Sequence, residues 1–172
     1  MTPPTLTTKR LVMRAPTDGD RAAYHAFYAV TDLAVGHYRG GRSEAEVDAI
    51  LRRDMDHWVR NGFGIWLLRT HGADAVLGGV GLDHTDGWPG HEVTWWLMPD
   101  TRGHGYATEA AQAAIDWAYE QKHWPKVQTF FRDENTASRR VAERLGGTFD
   151  RRLRFPDGVE RDIYVFPQRV TA

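Results

Sequence analysis

The sequence predicts a mixed α/β domain built on one sheet, and three observations lead there. Strand-type alternation of polar and apolar residues recurs along the chain. Two capping boxes and a run of small residues mark helices between those strands. The resulting order, β-α-α-β-β-β-α-β-α-β-β, is neither a doubly wound repeat nor a bundle. A chain of 172 residues, 41% of them hydrophobic, suits one domain spanning residues 1–172 with a sizeable core.

Each element has a local reason. Residues 6–14 alternate and read as a first strand, ended by Pro16. Thr17 with Asp20 resembles a capping box and starts a helix over 18–29. Residues 36–42 form a loop. Ser43 with Glu46 is a second capping box, and Val47, Ile50, Leu51, Met55 and Trp58 then recur at helical spacing until Asn61-Gly62. Residues 63–68 and 75–82 read as strands joined by a turn at His71-Gly72. A polar loop, 83–90, leads to a strand over 91–98 rich in β-branched and aromatic residues. The helix over 106–122 carries Ala107, Ala110, Ala111, Ala114 and Ala118 on one face, which permits close packing. A strand at 126–132, a helix at 135–145 ended by Gly146-Gly147, and a hairpin of 148–155 with 159–166 close the chain.

Composition excludes several functions. The 22 basic and 23 acidic residues nearly balance, whereas non-specific nucleic-acid binding needs a basic surplus. With no cysteine, disulfides, thiolate metal sites and a cysteine acyl-enzyme are excluded. No apolar stretch approaches the roughly 18 residues of a membrane span, and residues 1–10 lack the apolar core of a signal peptide. A cytoplasmic protein is expected, with no membrane, nucleic-acid or metal partner. The seven tryptophans belong to core, pocket or a dimer face.

The chemistry concentrates after the strand at 91–98. Pro99 ends it, Arg102-Gly103-His104-Gly105 follows, and a helix opens at Tyr106. Glycines let main-chain N–H groups face a ligand, and a helix N-terminus adds unpaired donors and a positive dipole end. That combination suits an anion such as a pyrophosphate. A bare G-x-G is equally the mark of an ordinary strand-to-helix turn. The loop lacks the third glycine of a dinucleotide fingerprint and the Gly-Lys-Ser/Thr of a triphosphate loop.

The longer run is more specific. Trp96-Leu97-Met98-Pro99 followed by Gly103-His104-Gly105-Tyr106-Ala107-Thr108-Glu109-Ala110 resembles the acetyl-CoA motif of the GNAT superfamily, in its RimJ/RimL-type branch. Thr8-Lys9-Arg10-Leu11 with Arg14, Asn135 with Ser138, Val141 and Leu145-Gly146, and Asp157-Gly158 with Arg161-Asp162 resemble further segments of that branch. The chain departs from the pattern at Asp100, Arg102 and Gly147, none of which removes a main-chain donor.

The resemblance implies a GNAT fold: a mixed, mostly antiparallel sheet with helices on both faces, whose fourth and fifth strands splay to form a cofactor cleft. It implies acetyl-CoA as the donor. Main-chain groups of Trp96, Leu97 and Met98 would pair with pantetheine, one N–H serving as oxyanion donor. Amides of Arg102, Gly103, His104, Gly105, Tyr106 and Ala107 would hold the pyrophosphate, with the Arg102 side chain adding charge. Asn135 would reach pantetheine or an ordered water, and also reads as a plain helix N-cap. Ser138 would protonate the departing thiolate. For the base, Glu92 is the first candidate, sharing a face with Thr94 and Trp96 by strand alternation. His84 and His91 are alternatives. Arg10 and Arg14 read as structural ion pairs, and Trp58 as core that also borders the acceptor groove in this family. The implied reaction is direct acetyl transfer through a ternary complex to a primary amine, of a protein N-terminus or a small molecule. Its rival is a non-catalytic acyl-CoA-binding or sensing domain.

Overall fold

The computed structural model describes residues 2–34 and 36–170. Eight strands form one sheet in the order β1-β2-β3-β4-β5-β6-β8-β7. They are β1 (Leu6–Thr7), β2 (Leu11–Arg14), β3 (Ile65–Thr70), β4 (Gly78–Asp83), β5 (Glu92–Leu97), β6 (Val127–Phe131), β7 (Thr148–Arg154) and β8 (Glu160–Phe166). Four helices accompany them: α1 (Arg21–Val30), α2 (Glu44–Asn61), α3 (Tyr106–Gln121) and α4 (Thr136–Arg144). All neighbouring strands are antiparallel except β5 and β6. Among the described residues no helix is long and apolar enough to cross a membrane.

The expected first strand is two strands. A turn at 8–10 folds β1 back on β2, so that Leu6 lies opposite Met13. The polar run Thr7-Thr8-Lys9-Arg10 breaks the alternation at the turn, and with no glycine or proline in it to mark a reversal the segment reads as one strand. The capping signals behave as read. Asp20 accepts from Thr17 N at 2.8 Å, ahead of a short 3-10 turn that leads into α1. Ser43 Oγ accepts from Glu46 N at 3.2 Å, and Glu46 accepts from Ser43 N at 2.7 Å. Gly62 ends α2 at φ 70°, a left-handed conformation that favours glycine.

Helices cover both faces. On one, α3 lays Ala110, Ala111, Ala114 and Ala118 against Val80, Leu82 and Val93, all fully buried. On the other, α1 and α2 place Tyr24, Phe27, Val47 and Leu51 over Leu67 and Trp96. Trp96 fixes this second layer: its ring meets Phe27 at 4.3 Å and Tyr24 at 6.1 Å between centroids. Gly79 of β4 makes room for that indole, since an added Cβ would sit 2.4 Å from Trp96 Nε1.

A carboxylate is buried beneath this layer. Asp54 on α2 is 6% exposed and accepts from Tyr24 Oη at 2.8 Å. Burial pushes its carboxyl up to about 6, against the pull of the Tyr24 hydroxyl and Arg53, and Asp83 adds to the rise. The ordinary carboxylate value is roughly 4. The folded state therefore prefers the protonated acid. That stabilisation is complete below about pH 4 and is lost as pH rises through about 6. Asp54→Asn keeps an acceptor for Tyr24 without the charge. Its melting temperature should rise relative to the parent as pH goes from about 4 to about 6, and the gain should hold above. Thermal melts of both proteins across pH 4–8 check this, and a difference flat with pH contradicts it.

Candidate active site

The site begins where two strands part. β5 and β6 register at one pair, Glu92 opposite Gln128. Thr129 Oγ1 adds a bond to Val93 O at 2.9 Å. Beyond that point, among the described residues, no ladder joins them. These are the fourth and fifth strands of the sequence reading, renumbered because the first became two.

Which main-chain groups face the opening follows from the ladder with β4. Met98 N–H donates to Leu77 O at 2.8 Å, and Met98 O accepts from Thr101 N and Oγ1, each at 2.9 Å. Alternation in an antiparallel pair then turns the main-chain groups of Trp96 toward β4 as well. Those of Val93, Trp95 and Leu97 face the opening, in agreement with the Val93–Thr129 bond. The expected trio is corrected accordingly. Met98 and Trp96 are engaged with β4, Leu97 remains available, and Trp95 joins it. A motif names residues but carries no ladder phase, so sequence reading missed this.

The glycine loop has the conformation expected of it. After a 3-10 turn at Pro99–Thr101, Gly103 and Gly105 adopt φ 83° and 80°. Gly105 is the N-cap of α3, and no side chain caps it. The first bond of the helix runs from Glu109 N to Gly105 O at 3.0 Å. The N–H groups of Tyr106, Ala107 and Thr108 thus have no intrahelical acceptor.

Glu109 anchors this turn from behind. Its carboxylate accepts from Thr8 Oγ1, from Arg10 N at 2.9 Å and from Arg10 Nε at 2.7 Å. The Arg10 guanidinium also lies 4.7 Å over the Tyr106 ring. Two motif segments about a hundred residues apart therefore meet here, and Arg10 is the structural ion pair expected. Arg14 is exposed and makes no ion pair among the described residues. Arg102 pairs with Asp32 at 3.0 Å on the surface.

The opening leads into a cavity of about 520 Å³ that Glu92, Asn135 and Ser138 line together. Trp88, Trp95, Phe130 and Arg161 line it too. Asn135 caps α4, its Oδ1 accepting from Ser138 N at 3.2 Å. The N-cap reading is correct, and the residue still faces the cavity. Ser138 is half-buried there.

Glu92 stands on the face predicted for it. Its strand-mate Thr94 hydrogen-bonds Tyr38 Oη at 3.0 Å, and Trp96 packs on Phe27. Burial, with the charge of Asp83, raises Glu92 well above the usual carboxylate range, against Arg161 and Arg53. Among the described residues, no group donates a hydrogen bond to it.

The alternatives lie elsewhere. His91 stacks on Trp124 at 3.8 Å, and His84 Nδ1 contacts Gly90 O at 3.1 Å; neither lines the cavity. Trp58 is 5% exposed, donates to Ile65 O at 2.8 Å and packs on Trp66, so it is core rather than groove.

Sequence reading did not find the polar network beside Glu92. Arg53 Nη2 contacts both oxygens of Asp83 at 2.9 Å. His57 Nε2 lies 3.2 Å from Asp83 Oδ1, off the line of an ideal hydrogen bond, while its Nδ1 lies 2.8 Å from Phe63 O. Both nitrogens face acceptors, which suits the doubly protonated ring. Burial would lower His57, but Asp83 and the Phe63 carbonyl outweigh it and the ring is raised.

Comparison with known proteins agrees with this geometry. Residues 10–148 match the family described as the acetyltransferase (GNAT) domain. The crystal structure of an acetyltransferase from Agrobacterium tumefaciens str. C58 is 30% identical, with a TM-score of 0.85 over 98% of this chain and 96% of that one. The uncharacterized protein YkkB of Bacillus subtilis (strain 168) is 22% identical over 87% of this chain and 88% of its own. RimL, a ribosomal L7/L12 α-N-protein acetyltransferase solved with coenzyme A, is 14% identical over 96% of this chain and 98% of that one. Its TM-score of 0.77 is a likeness of fold. The splayed strands, the glycine-capped helix and the family match lead to one conclusion: the chain belongs to the GNAT acetyltransferase domain family.

Proposed function

We propose that this chain is an N-acetyltransferase of the RimJ/RimL type. It would transfer acetyl directly from acetyl-CoA to a primary amine on a protein N-terminus or a small molecule. The observation that carries this reading is the split between β5 and β6, which opens onto one cavity lined by both Glu92 and Ser138. A chain without cysteine has no thiol to carry the acetyl group, which favours a ternary complex.

The residues fit the donor. Main-chain groups of Trp95 and Leu97 face the split and would pair with the pantetheine arm. The N–H groups at the start of α3, with Gly103 and Gly105, would hold the pyrophosphate. Asn135, facing the cavity from the start of α4, would reach the pantetheine or an ordered water. Acetyl-CoA supplies the acetyl group as a thioester.

Glu92 would take the proton of the incoming ammonium, and its raised proton affinity makes it a stronger acceptor than an ordinary carboxylate. The freed amine nitrogen would bond to the thioester carbonyl carbon as its C–S bond breaks; Ser138 would pass its hydroxyl proton to the departing sulfur and regain one from the nitrogen as the amide forms. The reading predicts that Glu92→Gln and Ser138→Ala each lower kcat/KM on the order of 10²-fold while coenzyme A affinity holds. Thiol release from acetyl-CoA across N-terminal peptides, polyamines and aminoglycosides, with calorimetric coenzyme A binding, measures both. Wild-type rates in both variants would refute the roles. Tight binding with no release for any amine would instead point to an acyl-CoA sensor.

The loop predicts a separate effect. Gly105 stands at φ 80°, where a residue with a side chain is strained by about 1–3 kcal/mol. In Gly105→Val the loop relaxes out of this conformation. The Kd for coenzyme A should rise at least about fivefold, as roughly 1 kcal/mol implies. An unchanged Kd would show that the loop is not the anion site.

A further inference from the structure

A second carboxylate stands against the proposed base. In the β4–β5 ladder Asp83 lies directly opposite Glu92. Cross-strand neighbours place their Cβ atoms about 5 Å apart on one face. Both residues line the cavity, and Asp83 is 5% exposed. Two carboxylates this close resist sharing ionisation, so something must decide which one holds the charge.

The surroundings decide it in favour of Asp83. From α2, Arg53 spans both of its oxygens at 2.9 Å and His57 stands at 3.2 Å. The main-chain N–H of His84 donates to Asp83 Oδ1 at 2.9 Å. Burial would raise Asp83, but the close approach of His57 and the charge and bonds of Arg53 outweigh it and hold the carboxyl below the usual range. Glu92 has no such partners. Arg161 on β8 is committed to Asp157 at 2.7 Å. From the loop before α2, Tyr38 is bonded to Thr94, and His37 Nε2 meets Arg53 at 3.3 Å. Asp54 is taken by Tyr24, and Gln128 of β6 by Pro89 O.

We propose that Asp83, clamped by Arg53 and His57, is a positioning residue: its fixed negative charge beside Glu92 makes Glu92 hold a proton tightly enough to act as the base. This rests on the reading of Glu92 as proton acceptor. Asp83 touches neither substrate nor donor in this scheme. It acts through Glu92, and the Arg53–His57 clamp keeps it charged.

The two ends of the clamp move Glu92 in opposite directions. Asp83→Asn removes the repelling charge and leaves Arg53 and His57 to favour the Glu92 anion. Arg53→Gln removes an attracting charge while His57 still holds Asp83 ionised. The Glu92 carboxyl can be followed without any acceptor, by carbon-13 NMR on protein labelled at the glutamate side-chain carboxyls, with Glu92→Gln assigning the signal. Asp83→Asn should lower the Glu92 titration midpoint by about one pH unit or more, and Arg53→Gln should raise it. With any amine that supports thiol release, the acidic limb of kcat/KM should move the same way, and Asp83→Glu should restore the parent profile in large part.

A midpoint unmoved in the folded variants overturns the proposal. If Asp83→Asn does not fold, Asp83→Ser, which also removes the charge, decides in its place. Failure of the underlying reading looks different: Glu92→Gln would keep the parent rate. Slow turnover in Glu92→Gln, together with a Glu92 midpoint that is the same in the parent and in Asp83→Asn, removes the positioning role and leaves the base.

Discussion

The molecule depends on one interrupted ladder. A strand inside a sheet must satisfy main-chain donors and acceptors on both edges. β5 does so on its β4 edge throughout, and on its β6 edge only around the Glu92–Gln128 register pair, where Val93 O accepts from Thr129. Past that point the polar edge of β5 is turned into a cleft, and an extended ligand that brings its own amide groups is the natural completion. The same point fixes the chemistry. The last paired residue is Glu92, so the candidate base sits at the apex of the opening, where backbone positions are set by three strands.

Around that apex the charges are arranged asymmetrically. Asp83 is bonded by Arg53 and a main-chain donor, whereas Glu92 faces the cavity with no hydrogen-bond donor among the described residues, its nearby arginines being committed to Asp83 and Asp157. Two carboxylates in one register pair thus acquire different characters from their neighbours alone. The helices supply those neighbours. α2 carries Arg53, Asp54 and His57 on its inward side, and its position is fixed by the Ser43–Glu46 box at one end and Gly62 at the other. Trp96, packed under Phe27 and over Gly79, keeps α1 seated on the sheet beside them.

Much of this was legible in the sequence because it is local. Both capping boxes, the glycine stops and the alanine face of α3 act within a few residues, and each stands where periodicity placed it. Glu92 was legible too, since alternation alone puts it with Thr94 and Trp96. What escaped reading is held by distant contacts. The turn at 8–10 is fastened by Glu109, which no local pattern near Thr8 announces. Asp83 read as the first residue of a loop, while its role comes from α2 and from its register with β5. Met98 belongs to the motif, yet the phase of the ladder engages it with Leu77 and offers Trp95 instead. Register and long-range ion pairs are properties of the folded sheet, and a motif does not encode them.

The most direct test of this account is amide hydrogen exchange at β5 with and without saturating acetyl-CoA. If the open edge is where the donor binds, the N–H groups of Trp95 and Leu97 should exchange markedly more slowly in the complex. Met98 N–H, already bonded to Leu77 O, should be slow in both states. Exchange at Trp95 and Leu97 that acetyl-CoA leaves unchanged would contradict the account at its centre.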